Sequence, residues 1–139
     1  MINYNYEGSF SLTDEPYYSD WITRVIRLND LLVLELSYVF CDDVYLLDLN
    51  KRFLNHDTLT DIITFDYSDG NKVAGDIFIS VERVAENSEK YGTDFDAELR
   101  RVMVHGVLHL MGYGDKDEEE KKVMRQMEDS MMKMFHVEH

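Results

Sequence analysis

Arg101-Val102-Met103-Val104-His105-Gly106-Val107-Leu108-His109-Leu110-Met111-Gly112-Tyr113-Gly114-Asp115 carries a helix, its stop signal and three side chains able to hold a metal. Histidines four residues apart on a helix lie on one face, about 6 Å apart along the axis. Both imidazoles of His105 and His109 can then reach one ion. Gly112 ends the helix, and Asp115, six positions past His109, can supply a third ligand from the returning loop. Three protein ligands leave a position open for water, as a catalytic zinc site requires. Two nitrogens and a carboxylate oxygen suit one Zn²⁺, and the set also accommodates Ni²⁺, Mn²⁺ and Fe²⁺. Such a spacing also arises by chance on helix surfaces. Here Val102, Met103, Val104, Val107, Leu108, Leu110 and Met111 are apolar, and buried histidines need partners. Gly106 costs roughly 1 kcal/mol of helix stability, which points to close packing there. It also stands where metalloproteases with a His-Glu-x-x-His helix keep their general base, so a peptidase is disfavoured.

Outward from this helix the chain punctuates cleanly. Ile2, Tyr4 and Tyr6 alternate with asparagines as a half-buried strand, which Phe10 and Leu12 are expected to extend. Tyr17 to Asp30 reads as a helix with Trp21, Ile22, Val25 and Ile26 on one face. Leu31 to Cys41 reads as a buried strand. Asp42 or Asp43 caps a helix that reaches Leu54. Ile62 to Phe65 is a short β-branched and aromatic strand, joined through Asp69-Gly70-Asn71 to a second strand, Val73–Ser80, as a hairpin. Ser80 caps a helix that Gly92 closes, and Thr93 caps the histidine helix. A last helix from about Glu118 to Phe135 presents Val123, Met127, Met131 and Phe135 at a spacing of four. The order predicts one α/β (α+β) domain over 1–139, with about four strands and most helices late.

Composition bounds the rest. The chain has 139 residues, one proline and one cysteine, Cys41, so an internal disulfide and a cysteine-cluster zinc site are excluded. No apolar run approaches the roughly 18 residues that span a bilayer, and the N-terminus lacks the pattern of a secretory signal. A cytoplasmic protein with no membrane partner is expected. The formal net charge of −14 opposes nonspecific binding to nucleic acid.

The segment His105-Gly106-Val107-Leu108-His109-Leu110-Met111-Gly112-Tyr113-Gly114-Asp115 resembles the signature of the YbeY family, usually His-Gly-x-Leu-His-Leu-x-Gly-Tyr-Asp-His. Leu49-Asn50 followed by Thr60-Asp61-Ile62-Ile63-Thr64-Phe65, and Gly75-Asp76-Ile77-Phe78-Ile79-Ser80, resemble two further family blocks in the same order. The resemblance covers nearly the whole chain. It implies a mixed four-stranded sheet with about five helices, a zincin-like metal-binding helix and one metal, usually taken as zinc. It also implies a single-strand-specific endoribonuclease that acts in 16S rRNA 3′-end maturation and ribosome quality control, with single-stranded RNA and the small ribosomal subunit as partners. DNA is not expected.

Two positions depart from the pattern. Asp115 stands where the family has a third histidine, with Asp117 as an alternative ligand. A carboxylate ligand is expected to leave a water on the metal less acidic than in a three-histidine site. Leu54 stands where the family has an arginine thought to face substrate phosphates. Lys51 and Arg52 point about 60° and about 160° away from it on a helix, so Arg100 or Arg101 is considered as a replacement. No general base is assigned. Asp76 is a candidate for the cleft or for orienting a ligand histidine, against a plain hairpin-edge role. Thr60 and Asp61 read as a turn, the methionines as core filling, and His136 and His139 as tail. Two other functions stay open: a noncatalytic ribosome-assembly factor with a structural metal, and a metal hydrolase on a different substrate.

Overall fold

The computed structural model describes residues 1–136. Its elements are β1 (Ile2–Tyr6), α1 (Glu15–Leu28), β2 (Leu32–Cys41), α2 (Asp43–Phe53), β3 (Ile62–Asp66), β4 (Lys72–Ser80), α3 (Val81–Tyr91), α4 (Phe95–Leu110) and α5 (Glu118–Lys133), with a 3-10 turn at Met134–His136. The sheet order is β1-β2-β4-β3. β1 and β4 each run parallel to β2, while β3 returns antiparallel to β4. Paired amides at 2.9 and 3.0 Å between Asp69 and Lys72 close the expected hairpin, with Gly70 at φ 60°.

Strand alternation divides the core. Leu36, Tyr38 and Phe40 of β2 and Ile77 and Ile79 of β4 pack against α1, α3, α4 and α5. Ile63 and Phe78 turn to the other face, where Leu46 and Leu49 of α2 cover them. Two large polar-tipped side chains bridge layers without leaving a polar atom unpaired. Trp21 Nε1 donates to the carbonyl of Met131 at 2.8 Å, and the Tyr38 hydroxyl to that of Met103 at 2.9 Å.

The caps follow their chemistry. Asp42 and Ser80 each accept an amide hydrogen bond at a helix start, and Gly92 takes the left-handed conformation (φ 68°) that ends α3. Four expectations are corrected. Phe10 and Leu12 are not strand; they fold back onto the core, Phe10 against Phe40 and Phe95. α1 starts two residues earlier than its apolar face suggests, because Asp14 caps it and Pro16 fits its first turn. Asp94, not Thr93, precedes α4, without a side-chain cap bond. The buried face of α5 is Met124, Glu128 and Met131, while Val123 is exposed. His139 lies outside the described residues.

Candidate active site

α4 delivers both histidines because its other faces are committed to the core. Val102, Met103, Val104, Val107 and Leu108 are buried, which fixes the rotation of the helix and turns His105 and His109 to one side. Gly106 lets the helix sit close to the sheet: a Cβ there would lie 2.8 Å from Ile62 Cδ1 and 2.9 Å from Ile77 Cγ2. After Leu110 the chain turns through Gly112, whose φ of 104° disfavours any side chain. The Tyr113 amide satisfies the carbonyl of Leu108 at 3.0 Å, and Asp115 comes back over the helix end.

The three donors converge. His109 Nε2 lies 2.9 Å from His105 Nε2 and 3.3 Å from Asp115 Oδ2, and the third edge, His105 Nε2 to Asp115 Oδ2, is 3.4 Å. A tetrahedral zinc at its usual ligand distances separates neighbouring donors by about 3.3 Å, so the triangle has the size of one face of such a site. Hydrogen bonding sets its chemistry. His109 Nδ1 faces the carbonyl of Tyr113 at 2.9 Å, and His105 Nδ1 faces Glu128 Oε2 at 2.6 Å. Each Nδ1 must donate, so in the neutral rings both Nε2 lone pairs face inward beside a carboxylate. Two lone pairs at that separation need a proton or a metal ion between them, and the carboxylate beside them favours a cation there. The donor set therefore fits a divalent metal.

Sequence reading missed Glu128, which braces the site. It is 5% exposed, and its other oxygen accepts from Arg101 at 2.8 Å, while Arg101 also holds Asp129 at 2.7 Å. Burial disfavours its charged form, but the hydrogen bonds from His105 and Arg101 prevail and lower its pKa. His105 shows the reciprocal effect. Burial alone would depress it, and the bond to Glu128, with the charges of Asp115 and Asp61, raises it instead. The one signal in the sequence was an acid at helical spacing between Met124 and Met131.

A cavity of about 500 Å³ opens above the triangle, lined by Asn50, Leu54, His56, Thr58 and Thr60 to Thr64 along with the three donors. Leu54 does face this cavity, and no lysine or arginine lines it. Lys51 and Arg52 pair with Asp57 and Asp48 at 3.4 and 3.3 Å. Arg100 lies over the Phe135 ring at 4.6 Å. With Arg101 tied to α5, neither Arg100 nor Arg101 replaces a cation at position 54. Asp117 is the exposed N-cap of α5, accepting from the Glu120 amide at 2.7 Å, so it does not approach the triangle. Asp76 sits beside Tyr67, outside both the triangle and the cavity, and orients neither histidine. The Thr60 hydroxyl donates to the Ile62 carbonyl at 3.3 Å. Asp61, in contrast, lines the cavity, and burial pushes its carboxyl pKa up.

A mixed sheet whose buried helix carries a metal-sized donor triangle under an open cleft defines the class: single α/β domains built around a helix-borne His-x-x-x-His pair. Within that class the chain belongs to the YbeY family, whose sequence model, described as Endoribonuclease YbeY, matches residues 3–136. It is 51% identical over 138 residues to the Endoribonuclease YbeY of Flavobacterium johnsoniae, covering 99% of both chains. It is 50% identical over 137 residues to that of Flavobacterium psychrophilum, covering 99% of this chain and 98% of the relative. A solution structure of a Thermotoga maritima protein shares the fold at a TM-score of 0.69 and 22% identity, over 97% of this chain and 89% of that one.

Proposed function

We propose that this protein is a metal-dependent endoribonuclease that cuts single-stranded RNA in the cytoplasm, in 16S rRNA 3′-end maturation and ribosome quality control on the small ribosomal subunit. His105, His109 and Asp115 hold one Zn²⁺. The observation that carries this reading is the triangle of inward-facing donors at 2.9, 3.3 and 3.4 Å beneath an open cavity. The name shared by its relatives supports RNA as the substrate. Among the described residues no helix is long and apolar enough to cross a membrane.

A divalent cation bound there supplies Lewis-acid activation of water and of a phosphoryl oxygen. The chain's own residues do the rest. Tyr113 and Glu128 fix both imidazoles in the tautomer that presents Nε2. Asn50 clamps the cavity wall through its bond to the Thr58 carbonyl at 2.8 Å. Leu54 and Ile62 give that wall an apolar surface suited to a base or sugar, and Thr58 and Thr60 add neutral polar residues to it.

The direct test is cleavage of a labelled single-stranded RNA by zinc-loaded protein beside a folded His109→Ala variant. Cleavage by the native protein alone is the expected result, and equal inactivity of both overturns the reading. One feature favours a second reading, a noncatalytic ribosome-assembly factor with a structural metal: no lysine or arginine lines the cavity. Small-subunit binding that survives His105→Ala with His109→Ala, in a protein that cuts no RNA, would support it.

A further inference from the structure

The cavity is lined by two ionisable side chains that neither the donor triangle nor its bracing network uses, Asp61 and His56. His56 lines it from the loop between α2 and β3. The backbone places it there deliberately. Asn50, 4% exposed, accepts the amides of both Leu54 and His56 on its carbonyl at 3.1 Å. Asn55 between them takes a left-handed turn, φ 56°. The Asn50 side chain then ties down Thr58, so His56 is held at both ends of a short arc. Its ring is exposed, and among the described residues it makes no hydrogen bond, ion pair or ring contact. A loop clamped this firmly around a free imidazole presents that imidazole to whatever enters.

The charges around it make the position distinctive. Asp61, Asp115 and the two histidines of the triangle share the cavity lining with it. Asp57, next in the chain, is paired with Lys51, and Asp48 with Arg52. His56 is thus the one group on the α2–β3 wall that can carry a positive charge toward a phosphate. Histidine also changes protonation near neutral pH, so it can give up a proton as well as hold one.

We propose that His56 is a catalytic residue, the proton donor to the leaving oxygen of the cleaved RNA phosphodiester; this rests on the endoribonuclease reading above. The attacking oxygen forms a bond to phosphorus and releases its proton to solvent. The bond from phosphorus to the leaving oxygen breaks, and the imidazolium proton of His56 goes to that oxygen. The neutral imidazole is reprotonated from water, so charge and atoms balance without a further reactant. The same imidazolium supplies, in the ground state, the cation missing at Leu54. Asp61 suits this work less well, because giving up a proton would leave a carboxylate beside the phosphate, whereas His56 is left neutral.

The test compares His56→Gln with the native protein on two substrates. One is ordinary single-stranded RNA. The other is the same RNA with sulfur replacing the leaving oxygen, at the bridging position given by the end groups of the native products. A thiolate leaves without a proton. On ordinary RNA the variant should lose roughly 10²-fold or more in kcat, with zinc stoichiometry and affinity unchanged. On the sulfur substrate the two proteins should agree within a few-fold. Native-like cleavage of ordinary RNA by His56→Gln overturns the proposal, and so does an equal loss on both substrates. If the native protein cuts neither substrate, the endoribonuclease reading itself falls, and this proposal with it.

Discussion

Glu128 sets the behaviour of His105 through one hydrogen bond of 2.6 Å. A divalent metal on Nε2 would compete with a proton for His105, whose pKa lies above its usual value despite burial because of that bond. Zinc affinity should be flat above the raised pKa and fall by about tenfold per pH unit below it, one proton being displaced. Replacing Glu128 with Gln should weaken the plateau affinity about 10–100-fold and move the onset of the fall to lower pH, both read by zinc titration across pH. In the metal-free protein the same pair stabilises the fold only in a window. That contribution is lost as pH rises through the raised pKa of His105, when the imidazolium discharges, and as pH falls through the lowered pKa of Glu128. Asp115 gives a second lever on acidity. An Asp115→His variant removes a negative charge from the donor set, so its pH–rate profile for RNA cleavage should shift toward lower pH than the native one.

Among the elements, α4 is held at the sheet by what it lacks. An alanine at Gly106 would gain about 1 kcal/mol of helix propensity. Its methyl would lie 2.9 Å from Ile77 Cγ2, an atom fixed at a β-branched carbon, and overpacking costs about 1–3 kcal/mol. The net effect should be a loss of stability, with zinc affinity falling as the helix shifts. Gly75→Ala should cost more, because its Cβ meets the Phe65 backbone carbonyl at 2.5 Å; thermal denaturation of both variants checks the order. These elements were legible because their signals are local: Ser80 and Asp42 as caps, Gly92 as a stop, Asp69-Gly70-Asn71 as a hairpin turn. The His105, His109 and Asp115 grouping was legible for the same reason, all three lying within one helix and its following loop. Glu128 was not. It sits among methionines at 124, 127, 131 and 132 that leave the buried face of α5 ambiguous, and its partners His105 and Arg101 are more than twenty residues away. Phe10 and Leu12 misled for a related reason, since their alternation comes from an irregular segment that packs on Phe40.

At the scale of the whole molecule, a net charge of −14 surrounds a cavity with no lysine or arginine in its lining. RNA bound there releases few counterions, so affinity for single-stranded RNA should vary only shallowly with salt. An arginine at Leu54 adds one phosphate contact, which should steepen the log–log salt slope by about 0.7, measurable by fluorescence anisotropy over a salt series. The placement of the donors has a further consequence, for the order in which the molecule comes apart. Their helix has eight buried residues, six of them in the central core cluster, whereas β1 and β3 are sheet edges. Native-state hydrogen exchange should therefore show β1 opening at low free energy, while the amides from Val104 to Leu108 exchange only through global unfolding. Through a partial opening of the sheet edge the helix that carries His105 and His109 should then stay folded, so a metal held by both would leave by unfolding only with loss of the central core.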